Sequence, residues 1–239
     1  MTTMRPPVLL AMDAAGASCS VALWADGRVA VRRFAAMARG QSERLVPMIE
    51  AVMAEWGGGF QALDAVAVTT GPGGFTGVRI GLATARGLAL ARGLPLIGVS
   101  SFEVAAAAAT AAERAGRLTV AVLDSKRHEV FAQAFGEDLT PLAPPCEVAL
   151  PGLDAALPPG PLTVTGDAAG PALTALRAAG RPDVAAAAAA GPADAGLLAE
   201  RAALRWPLPS GARDPARPVY LRAPDVTVAK RNGPAGSAG

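Results

Sequence analysis

Two rhythms of hydrophobic spacing divide this chain into strands and helices. Val8 to Asp13 is a short apolar run closed by a carboxylate. Ser18 to Trp24 and Arg28 to Phe34 follow as a hairpin turned at Asp26-Gly27, a pair that tolerates the left-handed backbone of a tight turn. The rhythm then changes. Leu45, Met48, Ile49, Val52, Met53 and Trp56 fall at i, i+3, i+4, i+7, i+8 and i+11, which predicts a helix over Ser42 to Trp56 with one apolar stripe. Pro47 either occupies the first turn of that helix or kinks it, because it has no N–H to donate. Ala65 to Thr70 predicts a buried strand, the glycine-rich segment 71–81 leads into a helix ending near Gly93, and Leu94 to Val99 predicts another strand of parallel-sheet type.

Ser100-Ser101-Phe102-Glu103 has the form of a capping box and predicts an alanine-rich helix running to Gly116. Strands are expected at Leu118 to Asp124 and Glu129 to Phe135, joined by a polar turn that carries the only histidine, His128, as an exposed residue. The proline-rich stretch from Pro141 to Pro161 reads as loop, Leu162 to Thr165 as a short strand running into Gly166-Asp167, and 171–179 and 193–206 as helices. Pro218 to Arg222 is a final extended piece, and the alanine run 185–190 carries no assignment. Val8 to Asp13 and Val120 to Asp124 are both apolar strands closed by an aspartate, each followed by a turn and a returning strand. That repetition predicts two related lobes: residues 1–100 with the glycine-rich loop, a smaller second lobe over 101–224, and a flexible tail at 225–239.

Gly71-Pro72-Gly73-Gly74-Phe75-Thr76-Gly77 joins strand to helix, and such glycine either lets backbone cradle a phosphate or lets two elements touch. Val78 and Arg79 follow Gly77 where a P-loop needs Lys and Ser/Thr, and Thr76 stands where a dinucleotide fingerprint needs its third glycine. Gly77, Gly81 and Ala85 put small residues on one helix face, which permits close approach of a neighbour, and close packing is the favoured reading. Asp13, Gly71, Gly73, Gly74 and Thr76 are the candidates for a vestigial nucleotide or phosphate site. Asp13 is left open between orienting a cation and bonding its own turn, whereas Asp124 is expected to accept bonds from its own turn.

Composition narrows the function classes. Hydrophobic residues make up 51% of 239 positions and the mean hydropathy is +0.33, as in a globular protein with a substantial core. No run approaches the roughly 20 apolar residues of a membrane span, and the apolar run before Asp13 is too short for a signal peptide, so a soluble, cytoplasmic chain is expected. Cys19 and Cys146, without a CxxC, are expected to be buried free thiols. From Arg201 onward seven basic residues face two acidic ones, which leaves the first 200 residues at −3 of a net +2. A solvated tail accounts for this more readily than an RNA-facing edge.

Two aspartate-closed strands in duplicated lobes, with a glycine-rich strand-to-helix turn, follow the plan of the actin, sugar-kinase and Hsp70 ATPase superfamily. Leu10 to Asp13 with Ser18 to Trp24, Gln41 to Ile49, Gly71 to Gly81, Gly98 to Ser101 and Pro218 to Arg222 resemble the TsaB family, also called YeaZ. The resemblance implies a two-lobed actin-like ATPase (ribonuclease H-like) α/β fold, with duplicated mixed β-sheets flanked by helices and a reduced second lobe. It further implies a subunit without catalysis of its own, in the machinery that places threonylcarbamoyl on adenosine 37 of tRNAs reading ANN codons. Partners would be a TsaD-like catalytic subunit, a TsaE-like ATPase and, through the complex, tRNA; a homodimer is the alternative assembly in isolation. No cofactor is expected here, ATP and metal belonging to the partner subunits. Gln41 and Ser42 stand where the catalytic paralogue carries metal-binding histidines, and a single histidine argues against metallopeptidase chemistry. Leu45, Met48, Ile49, Val52, Gly77, Gly81 and Ala85 are the candidate partner contacts. The alternative is an independent actin-fold ATPase or small-molecule kinase, in which Asp13→Asn weakens nucleotide binding.

Overall fold

The computed structural model describes residues 5–208 and 216–221. Two five-stranded mixed sheets organise it. In the first, β1 (Leu9–Asp13), β2 (Ser18–Ala25), β3 (Arg28–Ala36), β4 (Ala65–Thr69) and β5 (Leu96–Val99) lie in the order β3-β2-β1-β4-β5. In the second, β6 (Leu118–Asp124), β7 (Glu129–Phe135), β8 (Cys146–Ala149), β9 (Leu162–Thr165) and β10 (Val184–Ala186) lie in the order β10-β9-β6-β7-β8. The plans coincide strand for strand. β1 pairs antiparallel with β2 and parallel with β4, and β6 does the same with β7 and β9.

Position in the sheet explains the sequence patterns. β1 and β4 are covered on both faces and read as continuous apolar runs, whereas the edge strand β3 alternates and carries Arg28, Arg32 and Arg33. Asp26 and Gly27, with φ of 53° and 76°, form the β2–β3 turn that the Asp-Gly pair predicts. On one face of the first sheet lie α1 (Gln41–Trp56) and α2 (Phe75–Arg92), which share a core with β1, β2 and β4. Pro47 lies inside α1, beyond its first turn, with its ring exposed.

Several expectations are corrected here. The alanine-rich segment forms two helices, α3 (Ser101–Ala106) and α4 (Ala111–Arg114). The capping box belongs to Thr110 and Glu113; Ser100 Oγ accepts from the Phe102 amide, while Glu103 pairs with Arg205 at 2.6 Å. The proline-rich stretch contains β8 and two short 3-10 turns, and the unassigned alanine run contributes to β10. α5 (Ala169–Ala178) packs on the second sheet. α6 (Ala195–Ala203), placed with the second lobe by its position in the chain, returns to the first sheet and buries Leu198 and Ala199 against β1 and β4. Buried Ser20 fixes it there by accepting from the Ala195 amide at 3.0 Å. Residues 216–221 also run beside the first lobe, where the Val219 amide donates to Thr70 O at 2.8 Å. The proposed tail at 225–239 and Arg222 lie outside the described residues. Among the described residues no helix is long and apolar enough to cross a membrane.

Candidate functional site: the interlobe aspartates and the glycine loop

Burying β1 between β2 and β4 carries Asp13, at its C-terminal end, fully out of solvent. The Thr69 hydroxyl donates to Asp13 Oδ1, and the Ala15 amide approaches the same oxygen at 3.3 Å. Among the described residues Oδ2 is buried without a hydrogen-bond partner. Burial raises the Asp13 pKa from 3.8 to about 6, against the lowering effect of the Thr69 and Ala15 bonds, and the charges of Asp194 and Asp167 add to the rise.

The second lobe repeats the arrangement with different chemistry. Asp124 closes β6 and, as expected, accepts from its own turn: the Lys126 amide lies 2.7 Å from Oδ1 and Lys126 Nζ 2.7 Å from Oδ2. Partial burial acts to raise its pKa, but the Lys126 bonds outweigh it and the net shift is downward. His128 is exposed in that turn. Sequence reasoning gave no role to Asp167, which follows β9 and accepts from the Asp124 amide at 2.8 Å. Its Oδ2 lies 3.9 Å from where a Cβ on Gly16 would stand, so it reaches across to the β1–β2 turn, and burial pushes its pKa up. The signal was available: Gly166-Asp167 closes a strand that pairs parallel with β6.

The glycine loop is filled by the protein itself. Gly74 N donates to Ala15 O at 2.7 Å. A Cβ on Gly73 would overlap Ala15 O, and one on Gly77 would overlap Ala14 O. Gly71, at φ +92°, packs under Val219 O, and Thr76 is exposed. Gln41 Nε2 reaches Gly16 O at 3.4 Å from the start of α1. Magnesium nucleotide, the ligand this fold class implies, does not fit these residues. Carbonyl oxygens stand where a phosphate requires donors, the Gly74 amide is spent, and Asp124 is neutralised by Lys126.

The expected partner contacts are corrected. Leu45, Met48, Ile49 and Val52 point into the first lobe's own core, as do Gly81 and Ala85; Gly77 meets the β1–β2 turn. The apolar stripe of α1 is satisfied within the chain. Outward-facing large apolar groups on these helices are instead Val46, 48% exposed, Phe75, 45% exposed, and Leu90, 86% exposed. Cys19 is buried, where burial lifts its thiol pKa to about 11, and Cys146 is half-buried.

Duplicated mixed sheets, each with an aspartate closing its central strand, define a protein of the actin-like ATPase fold. Component A of (R)-2-hydroxyglutaryl-CoA dehydratase from Acidaminococcus fermentans shares that fold, at a TM-score of 0.52 and 11% identity over 83% of this chain and 98% of that one. YeaZ from Pseudomonas aeruginosa superposes at a TM-score of 0.74 with 28% identity, covering 90% of this chain and all of that one (100%). The family model of TsaD, tRNA N6-adenosine threonylcarbamoyltransferase, matches residues 35–160. The tRNA threonylcarbamoyladenosine biosynthesis protein TsaB of Escherichia coli (strain K12) is 39% identical over 130 residues, 54% of this chain and 55% of its own length. The matched stretch thus spans about half the length of the curated TsaB relatives. The chain belongs to the TsaB (YeaZ) family of tRNA threonylcarbamoyladenosine biosynthesis proteins, within the wider group that the TsaD model describes.

Proposed function

We propose that this chain is a subunit without catalysis of its own in the transfer of threonylcarbamoyl to adenosine 37 of tRNAs reading ANN codons, and that it works by pairing with a TsaD-like chain. One observation carries the reading. The glycine loop, which in a nucleotide-using relative would have to present free amides, is closed by the Ala14 and Ala15 carbonyls. The family supports the pathway, and the outer faces of α1 and α2 support the pairing. Val46 and Leu90 stand exposed there, and Gly87 leaves open space for a close approach. Faces of this kind meet in stable interfaces of about 1,600 Å².

The test is reconstitution of tRNA threonylcarbamoylation from the adenylate-forming enzyme and the TsaD-like and TsaE-like proteins, with and without this chain. Dependence on the chain, with no activity from it alone, is the expected result. Modification that proceeds equally well without it would refute the role. Leu90→Arg tests the surface: with Leu90 so exposed the fold should melt unchanged, while co-elution with the TsaD-like chain is lost.

A further inference from the structure

The sole tyrosine of the chain and one of its six phenylalanines stand together on the surface. Phe75 is 45% exposed and Tyr220 42% exposed, with ring centroids 5.8 Å apart and planes tilted by 36°. Arg79 stacks over Phe75 and reaches the edge of Tyr220, its guanidinium carbon 3.6 Å from the Phe75 centroid and 6.0 Å from that of Tyr220, and its Nε donates to the Tyr220 hydroxyl at 3.1 Å. The arrangement is fixed from both sides. Phe75 and Arg79 are one turn apart on α2, and Tyr220 is carried by the segment 216–221, which the Val219–Thr70 bond and the Arg86–Ala216 bond (3.2 Å) hold against the first lobe.

The chemistry of this patch selects its ligand. An apolar protein surface laid over it would take the Arg79 guanidinium out of water without an anion to pair it. A guanidinium plane stacked on one ring, with a second exposed ring beside it, suits a nucleic-acid base, which stacks on aromatic rings and on arginine planes while its phosphates stay near cations. The surrounding charge agrees. α2 contains Arg79, Arg86 and Arg92 and no acidic residue, and Phe75, Arg79 and Arg86 fall on one helical face, with Arg217 exposed on the neighbouring segment.

We infer that Phe75, Arg79 and Tyr220 form a stacking platform for an unpaired base of RNA, by which this chain touches the tRNA substrate directly. The inference rests on the proposed role in tRNA modification. The probe is an anticodon stem–loop RNA, fluorescently labelled for anisotropy and carrying 5-bromouridine in the loop for photo-crosslinking, added to the full-length chain. Loss of a base stack is worth about 1–3 kcal/mol, so Tyr220→Ala and Phe75→Ala should each weaken binding by about 5- to 150-fold. Arg79→Lys, which keeps the charge and loses the plane, should weaken it nearly as much. Tyr220→Phe keeps the ring and loses only the hydroxyl; it should bind within about twofold of the parent chain, which separates stacking from mere fastening of the segment. The crosslink should map to Phe75 or Tyr220. Binding unchanged in both alanine variants, a crosslink elsewhere, or variants that bind RNA normally but no longer co-elute with the TsaD-like chain would each overturn the platform. These outcomes are independent of the reconstitution. A chain that modification requires but that does not crosslink through this patch refutes the platform alone, and a dispensable chain that does crosslink refutes the role alone.

Discussion

Two glycines ten residues apart in one helix should respond oppositely to the same substitution. In an α-helix, Gly→Ala gains about 1 kcal/mol because alanine has fewer backbone states to lose. At Gly87 nothing among the described residues lies within 4 Å of the new methyl, so the full gain is expected. At Gly77 the methyl would overlap the Ala14 carbonyl oxygen and come within 3.2 Å of the Ala14 carbonyl carbon. That obstacle is backbone, and the β1–β2 turn must retreat by about 1 Å to clear it. Retreat strains the Gly74–Ala15 bond and the Ala15 amide's approach to Asp13. Overpacking of this sort costs about 1–3 kcal/mol, so after the helical gain Gly77→Ala should lose up to about 2 kcal/mol. At about 2–4 °C per kcal/mol for a chain of this size, Gly87→Ala should raise the melting temperature by about 2–4 °C and Gly77→Ala lower it, by at most about 4–8 °C. Calorimetry on the isolated chain reads both. Shifts of the same sign would refute the argument that the glycine loop exists to admit the turn.

Other expectations follow from the same geometry. Gly81→Ala, with Val68 Cγ2 at an ordinary 3.6 Å, should be neutral or slightly stabilising, whereas Gly81→Leu should destabilise by about 1–3 kcal/mol in a thermal melt, because it enters the chain's own core. Asp13 holds its proton more tightly folded than unfolded, so its penalty is absent below pH 3.8, grows as pH rises, and is complete above about 6, where it reaches about 3 kcal/mol. Asp13→Asn should therefore raise the melting temperature more at about pH 8 than at about pH 4, and equal shifts at both would refute the burial argument. Thr110→Ala removes the capping box of α4 and should cost about 1 kcal/mol in urea unfolding; a variant within error of the parent would show that α4 adds nothing to the second lobe.

The first lobe was legible because its signals are local. A stripe at helical spacing, an Asp-Gly turn and an apolar run closed by aspartate each specify an element from neighbouring residues. β8 and β10 were not, since a four-residue strand at a sheet edge beside Pro144 and Pro145, and a three-residue strand in an alanine run, carry too few side chains to show a period. The duplication itself held the missing information, for β8 and β10 occupy the places of β3 and β5. The destination of α6 had no local signal at all: its apolar face says that it packs, and only the buried hydroxyl of Ser20 beneath its first amide says on which sheet. The same limit governs the α1 stripe. Periodicity shows which face is apolar and cannot tell a sheet of the same chain from a partner.

The residues singled out for ligand chemistry and those singled out for partner contact are joined by one short turn. Ala14 to Gly16 receives α1 through Gln41 Nε2 at Gly16 O, receives the start of α2 through Gly74 N at Ala15 O, and sits in the space that Gly77 leaves open. The turn is itself tied to the buried carboxylate of Asp13 through the Ala15 amide. In a nucleotide-binding relative the amides among these groups would need to stay free for phosphate. Here the Gly74 amide is given to Ala15 O and the Ala15 amide to Asp13, and the result is that the N-terminal ends of both helices are fixed to the central strand of the first sheet. A fixed pair of helices loses little freedom when a partner covers its outer face, and preorganisation of that kind strengthens association without any added contact. Loosening the turn at Gly77 should accordingly weaken pairing with the TsaD-like chain, although none of the displaced atoms lies on the outward face that carries Val46 and Leu90.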